Sequence, residues 1–322
     1  MPPFYQGIAY ALAAGLLWGL VFVTPLWLHD YPGMLLSFAR YLAFGLISII
    51  PAYFARRTLR SFTRSHWQVA FMLGLVGNII YYGFLATAIQ LAGAPLPTVL
   101  IGTLPLVIAM CSNFSNMHAP VPWMRLLCPL LLILLGLACV NAEDLRSIFN
   151  SNAQLGQQSN YLLGAACAVC AVAAWTWYPI KNASFLQNNP DVSYSHWATA
   201  QGLATLPLAI LGYLAYWLYA SLDGYATSAA FSFPLGATPL KFIALMLMLG
   251  LLASWLGTLC WNRASQLLPT ALAGQLIVFE TLAALAYGMM HQGVWPQPLV
   301  MLGIAVLIAG VLMGVRVFQK PS

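Results

Sequence analysis

Apolar residues run along this chain in long unbroken blocks, and the polar residues gather where the blocks end. A helix needs roughly 20 mostly apolar residues to cross the hydrocarbon core of a bilayer. Ten segments meet that condition: 5–28, 33–54, 67–91, 94–116, 122–141, 160–180, 194–218, 240–264, 268–290 and 297–317. Turn formers separate them, as in Tyr31-Pro32-Gly33 and Gly93-Ala94-Pro95. Links this short make successive helices antiparallel neighbours. The pattern predicts an all-α integral membrane protein with ten transmembrane helices.

The blocks also repeat. Leu73-Gly74-Leu75 opens a span that ends in Ala88-x-Gln90-Leu91, and Leu249-Gly250-Leu251 opens one that ends in Ala264-x-Gln266-Leu267. The offset is 176 residues at both ends (73 to 249, 91 to 267), so no gap is needed. Ala14-Gly-Leu-Leu-Trp18 in the first span is matched by Ala171-Val-Ala-Ala-Trp175 in the sixth. The polar stretch between Asn141 and Asn160 is the natural seam. It divides the chain into a first five-helix repeat (1–141), a periplasmic linker (142–159) and a second five-helix repeat (160–322). An odd number of spans per half turns the second half upside down. Inverted repeats of this kind build many secondary transporters, with the substrate site near the midplane where the halves meet.

Composition narrows the function classes. The chain has 322 residues, 61% hydrophobic and 6% charged, against about 25% charged in a soluble domain. Ten spans with short links use nearly all of it, leaving no soluble catalytic domain. The net charge of +6 is scattered over span ends, so it gives topology and not nucleic-acid binding. Arg56, Arg57, Arg60 and Arg64 crowd one short loop, and such loops stay in the cytoplasm. Arg125, Lys181, Arg263, Arg316 and Lys320 then also fall inside, with only Arg146 and Lys241 outside. Both termini are expected in the cytoplasm. The N-terminus lacks a basic leader and a small-residue cleavage site, so the first span reads as retained. The six cysteines lie within spans, and Cys167-x-x-Cys170 sits in an apolar run where cysteine acts as a small hydrophobe. The five histidines stand near span ends and far apart. No metal site and no cofactor is expected.

Polar groups inside a membrane are expensive, and each needs a reason. Asn78 and Tyr82, with Tyr81 beside them, share a face of span three. The 176 offset carries Asn78 to Ser254 and Tyr82 to Thr258, again polar. This face is either an interhelical hydrogen-bonding surface or the wall of a cavity that grips a small zwitterion, and the recurrence favours the cavity. Trp18 and Phe22 in span one, and Trp175 and Tyr178 in span six, form an aromatic set, with Trp255 and Trp261 in span eight. Tryptophan normally gathers at membrane interfaces, but Trp18 and Trp175 lie deeper. Helix packing and an aromatic cavity wall are both consistent with them. Gln275, midway in span nine, is assigned to the cavity. Arg40 and Glu280 are the clearest intramembrane charges. Arg40 either ties backbone carbonyls or attracts a substrate carboxylate; Glu280 is either a fixed partner or a proton carrier. Gly15-x-x-x-Gly19 and Gly310-x-x-x-Gly314 predict close helix contacts.

Taken in order, Trp18-Gly19, Arg40, Ala88-x-Gln90, Pro105, Trp175 and Glu280 resemble the EamA branch of the drug/metabolite transporter superfamily, and within it the YddG-type exporters of aromatic amino acids. The resemblance covers essentially the whole chain and implies ten helices in two inverted halves. Two positions depart from the family pattern. Thr281 stands where a proline often follows the acid of span nine, and Thr176 follows Trp175 where Gly19 follows Trp18. These departures leave energy coupling open.

The expected function is export of aromatic or hydrophobic amino acids and related small metabolites across a bacterial-type inner membrane by alternating access. The partners are then a small-molecule substrate and the lipid bilayer, with no nucleic acid. A sugar-phosphate or nucleotide-sugar carrier would need several basic residues in its cavity, and only Arg40 is deep. A small-cation drug exporter would want an acid in span one, which has none. No His-Glu-x-x-His or Gly-x-Ser-x-Gly motif points to an enzyme. No filter motif points to a channel. Oligomeric state is not legible from the chain.

Overall fold

The computed structural model describes residues 2–28, 31–92, 95–115, 122–142, 146, 155–222, 227–228, 231–232, 234–293 and 295–319. Ten helical rods follow one another. They are α1 (Pro3–Trp27), α2 (Gly33–Phe54), α3 (64–92), α4 (95–115), α5 (Trp123–Val140), α6 (Leu155–Asn188), α7 (Tyr194–Leu222), α8 (Pro239–Leu267), α9 (270–292) and α10 (Pro298–Gln319). A short helix, Arg56–Arg60, carries the basic loop after α2. Two strands of two residues each, Thr227–Ser228 and Phe231–Ser232, pair antiparallel between α7 and α8.

Nine helices among the described residues are long and apolar enough to cross a bilayer. The exception is α4, which is divided into Pro95–Gly102 and Leu104–Ser115, with an apolar piece only over Leu104–Phe114. Pro105 lacks an N–H and cannot continue the helical ladder, and the Thr103 hydroxyl turns back to Leu100 O at 2.6 Å. The α6 helix is longer than its apolar block. It begins at Leu155, inside the expected linker, and runs to Asn188. Its flanking Gln and Asn residues have no apolar face to bury, so hydropathy does not reveal them.

Two rods contain a wide π-helical stretch. In α3 it spans Gly74–Ile80, between Arg64–Leu73 and Tyr81–Ala92. In α8 it spans Gly250–Leu256, between Pro239–Leu249 and Gly257–Leu267. The two stretches lie 176 residues apart at both ends, the offset of the sequence repeat. Wide turns of this type often occur at functional sites.

Contacts between rods keep their pattern when the first five are exchanged with the last five. Rod α2 lies on α7, α4 on α9 and α5 on α10. Rod α1 lies on α8 and α9, as α6 lies on α3 and α4. The glycine stripes serve these contacts. A Cβ at Gly19 would lie 2.7 Å from Ala283 Cβ of α9, and one at Gly310 would lie 3.0 Å from Ile133 of α5. Removing the side chain lets helix backbones approach closely, the usual device where lipid supplies no hydrophobic drive between helices.

The distribution of polarity is that of a protein dissolved in lipid. Large apolar side chains such as Phe54, Met124, Leu162 and Leu211 face outward, while Asn182, Gln201, Thr205, Asn262 and Gln275 are buried between rods. The chain is an all-α, multi-pass membrane protein.

Candidate functional site

Rods α1, α3, α6 and α8 bring their aromatic residues to one place. Trp18 of α1 meets Trp175 of α6 edge to face, with ring centroids 5.9 Å apart, and Trp261 of α8 at 5.3 Å. Trp175 stacks on Tyr81 of α3 at 4.9 Å and on Tyr178 of its own helix at 4.9 Å, nearly parallel at 3°. The result is a ladder of five rings crossing from the first half of the chain to the second. Each ring pair adds about 0.5–1.5 kcal/mol beyond simple burial.

Glycine makes room for two of these rings. A Cβ at residue 257 would lie 2.7 Å from Trp18 Nε1. A Cβ at residue 77 would run into the ring of Tyr178. The indole and the phenol therefore rest directly on the backbones of α8 and α3.

Polar groups frame the ladder. Arg40 Nε of α2 donates to Ser254 Oγ of α8 at 3.0 Å, and its guanidinium lies over the Tyr41 ring, 5.1 Å from the centroid. Asn78 Nδ2 of α3 donates to Thr205 Oγ1 of α7 at 3.4 Å. Tyr178 OH donates to Gln201 Oε1 at 2.9 Å, and Thr258 is a neighbour of the same phenol. Tyr82 lies within the electrostatic reach of Arg40 and Tyr41. Tyr81 lies within that of both Glu280 and Arg40. Tyr81, Tyr82 and Glu280 are half-buried. Their partly accessible surfaces and the ring ladder outline the candidate chamber. Arg40, Asn78 and Trp175 are half-exposed in the same way, whereas Trp18, Tyr178, Ser254 and Thr258 are buried behind them.

Of the residues singled out in the sequence, Trp18, Arg40, Asn78, Tyr81, Tyr82, Trp175, Tyr178, Ser254, Thr258 and Glu280 gather around this chamber. The Phe22 side chain lies outside the described residues. Gln275 is placed differently. It is fully buried, and its Oε1 occupies the space where a Gly314 side chain would be on α10. Neither of its amide atoms has a hydrogen-bond partner among the described residues. It presents no surface to a ligand in this conformation.

Sequence reading missed a second polar cluster. Asn182 Oδ1 of α6 accepts from Trp197 Nε1 at 2.9 Å and from Gln201 Nε2 at 3.1 Å, both on α7. Asn182 Nδ2 donates to Asn262 Oδ1 of α8 at 3.0 Å. Through Gln201 this network joins Tyr178, where α6, α7 and α8 converge. Three amides in otherwise apolar spans were the available signal. Tyr41 and Thr205 were likewise not assigned.

One groove of about 460 Å³ lies between α1, α9 and α10, apart from the chamber. Ile8, Phe279 and Val311 line it, with Arg316 its only charged group among the described residues. It shares no residue with the ring ladder.

A helical bundle with apolar faces outward, and with rings and polar groups gathered between its rods, fits a membrane transporter for small molecules. Comparison with known proteins gives the family. The EamA-like transporter family signature matches residues 5–142. "Inner membrane protein YtfF" of Escherichia coli (strain K12) is 46% identical over 321 residues, covering 98% of this chain and 96% of that protein. The chain belongs to the EamA-like transporter family. "Uncharacterized transporter YoaV" of Bacillus subtilis (strain 168) is 25% identical over 170 residues, covering 51% of this chain and 52% of that one. A crystal structure of a protein 17% identical to this one superposes with a TM-score of 0.71 over 98% of both chains, a likeness of fold alone.

Proposed function

We propose that this protein is a secondary transporter of the bacterial inner membrane that exports aromatic or hydrophobic amino acids and related small metabolites. Its ten rods act as ten spans, in two inverted five-helix halves that rock about the chamber. The observation that carries this reading is the ring ladder Trp261, Trp18, Trp175, Tyr81 and Tyr178, built from both halves at their junction. The exchange symmetry of the helix pairings and the 176-residue spacing of the two wide turns support the inverted repeat. The name of the Escherichia coli relative supports the inner membrane. The basic loop at Arg56, Arg57, Arg60 and Arg64 supports cytoplasmic termini.

In the mechanism, a cytoplasmic substrate lays its side chain on Trp175 and Tyr81. Stacking of rings favours aromatic over small polar cargo. The halves then tilt, closing the inner access and opening the outer. Coupling to an ion is not required where the gradient of substrate runs outward.

Counterflow in proteoliposomes tests this. Tryptophan, phenylalanine and tyrosine should exchange faster than glutamate or a sugar phosphate. Equal rates for all of them remove the aromatic assignment. Repeating the assay with and without a pH gradient reads proton coupling in the same experiment.

A further inference from the structure

We propose that Arg40 and Glu280 divide the two charges of a zwitterionic substrate between them, Arg40 taking the carboxylate and Glu280 the ammonium, so that the chamber selects a free α-amino acid over aromatic acids and amines. This rests on the chamber being the substrate site and goes beyond it by assigning the recognition of charge.

The guanidinium is held but not used up. An arginine has five N–H donors in a planar fork. Nε is committed to Ser254 at 3.0 Å, and the plane lies over Tyr41. The two Nη groups make no further hydrogen bond or ion pair among the described residues. That fork is the geometry that binds a carboxylate by two parallel bonds. Ser254 and Tyr41 fix its aim.

Glu280 is the complement. It stands in the first turn of the helix Val278–Gln292, after the break at Ile277. A helix start favours negative charge. Gly15 of α1 brings that backbone close, since a Cβ there would lie 3.0 Å from Glu280 N. The carboxylate has no hydrogen bond and no ion pair among the described residues, although the residue is half-buried. An unpaired ion in such a place is costly. Arg40 acts on Glu280 through space and not by direct contact. Both act on Tyr81, the ring that stacks on Trp175. A ligand lying on that stack therefore meets one charge of each sign, with no direct ion pair between them. A zwitterion satisfies both. An aromatic acid leaves Glu280 bare, and an aromatic amine leaves Arg40 bare.

The test is competition against radiolabelled phenylalanine on the purified full chain in detergent, with phenylalanine, 3-phenylpropionate and 2-phenylethylamine as competitors. Wild type should bind phenylalanine about tenfold or more tightly than either single-charge analogue, the range expected of one charge-assisted hydrogen bond. R40Q should bring phenylalanine down to the level of phenylethylamine while leaving phenylethylamine within about twofold. E280Q should bring it down to the level of phenylpropionate while leaving phenylpropionate unchanged. Melting curves and the conservative pair R40K and E280D, expected to recover part of the loss, separate recognition from folding. Equal loss of all three ligands in either variant overturns the proposal, as does an undiminished phenylalanine preference in both. Leucine distinguishes the two readings. If it binds as well as phenylalanine and the charge variants behave as expected, the aromatic assignment falls and the charge division stands. If W175A abolishes binding while R40Q and E280Q do not, the reverse holds. If wild type binds none of these ligands, both fall.

Discussion

Trp18 and Trp175 occupy matching places in the two halves and have opposite surroundings. Trp175 faces α3 at Tyr81 and stacks on its ring at 4.9 Å. Trp18 faces α8 at Gly257, the residue 176 positions after Tyr81, and rests on bare backbone. The polar ties differ in the same manner. Asn78 is tied to Thr205 of α7 by a neutral bond. Ser254, its counterpart, is tied to Arg40 of α2 by a charged one. The amide network of Asn182, Gln201 and Asn262 belongs to α6, α7 and α8 alone. The repeated backbone supplies one frame twice, including a wide turn at the same place in each half. The side chains set on it have diverged, so one wall of the chamber is a stack of rings and the other a recess beside a cation. Such a chamber suits a cargo with a ring at one end and charge at the other.

The sharpest way to break this asymmetry is Gly257→Tyr, which gives the second half the residue of the first. The new side chain must displace Trp18, because even a Cβ would lie 2.7 Å from its Nε1. Overpacking of this sort costs about 1–3 kcal/mol, and counterflow should fall to background while the variant still elutes as a folded species. Wild-type transport would mean that Trp18 does not need the recess. A smaller effect separates the two tryptophans. Among the described residues, Trp175 touches three rings and Trp18 two. With about 0.5–1.5 kcal/mol per ring pair, Trp175→Ala should weaken substrate binding more than Trp18→Ala; the opposite order would place the substrate on the α8 wall. The smallest effect concerns the ties. Hydrogen bonds to charged groups contribute about 1.5–3 kcal/mol against about 0.5–1.5 for neutral ones, and the average inside a membrane is nearer about 0.6. Ser254→Ala should therefore lower the melting temperature more than Asn78→Ala. Equal shifts would make the two ties equivalent.

Much of the chamber was legible in the sequence because intramembrane polarity is itself a signal. Asn78, Tyr82, Arg40 and Glu280 stand out against Leu, Ala and Gly, and most of the singled-out residues converge. Gln275 carried the same signal and turned toward Gly314 instead. A buried amide reads alike from the sequence whether it faces a cavity or a neighbouring glycine. The network at Asn182 was missed for a related reason, since its members lie on three rods and no spacing along the chain links them.

The sequence by itself determined where the apolar stretch of each rod lies, that lipid is their solvent, and that a 176-residue offset recurs along the chain, because apolar block length and repeat offset are properties of the chain read locally. Tertiary structure decided which faces meet. A helix in lipid is apolar on most sides, so periodicity does not reveal its inward face. Only packing brought Trp18 onto Gly257, Arg40 onto Ser254, and five rings from four helices into one ladder.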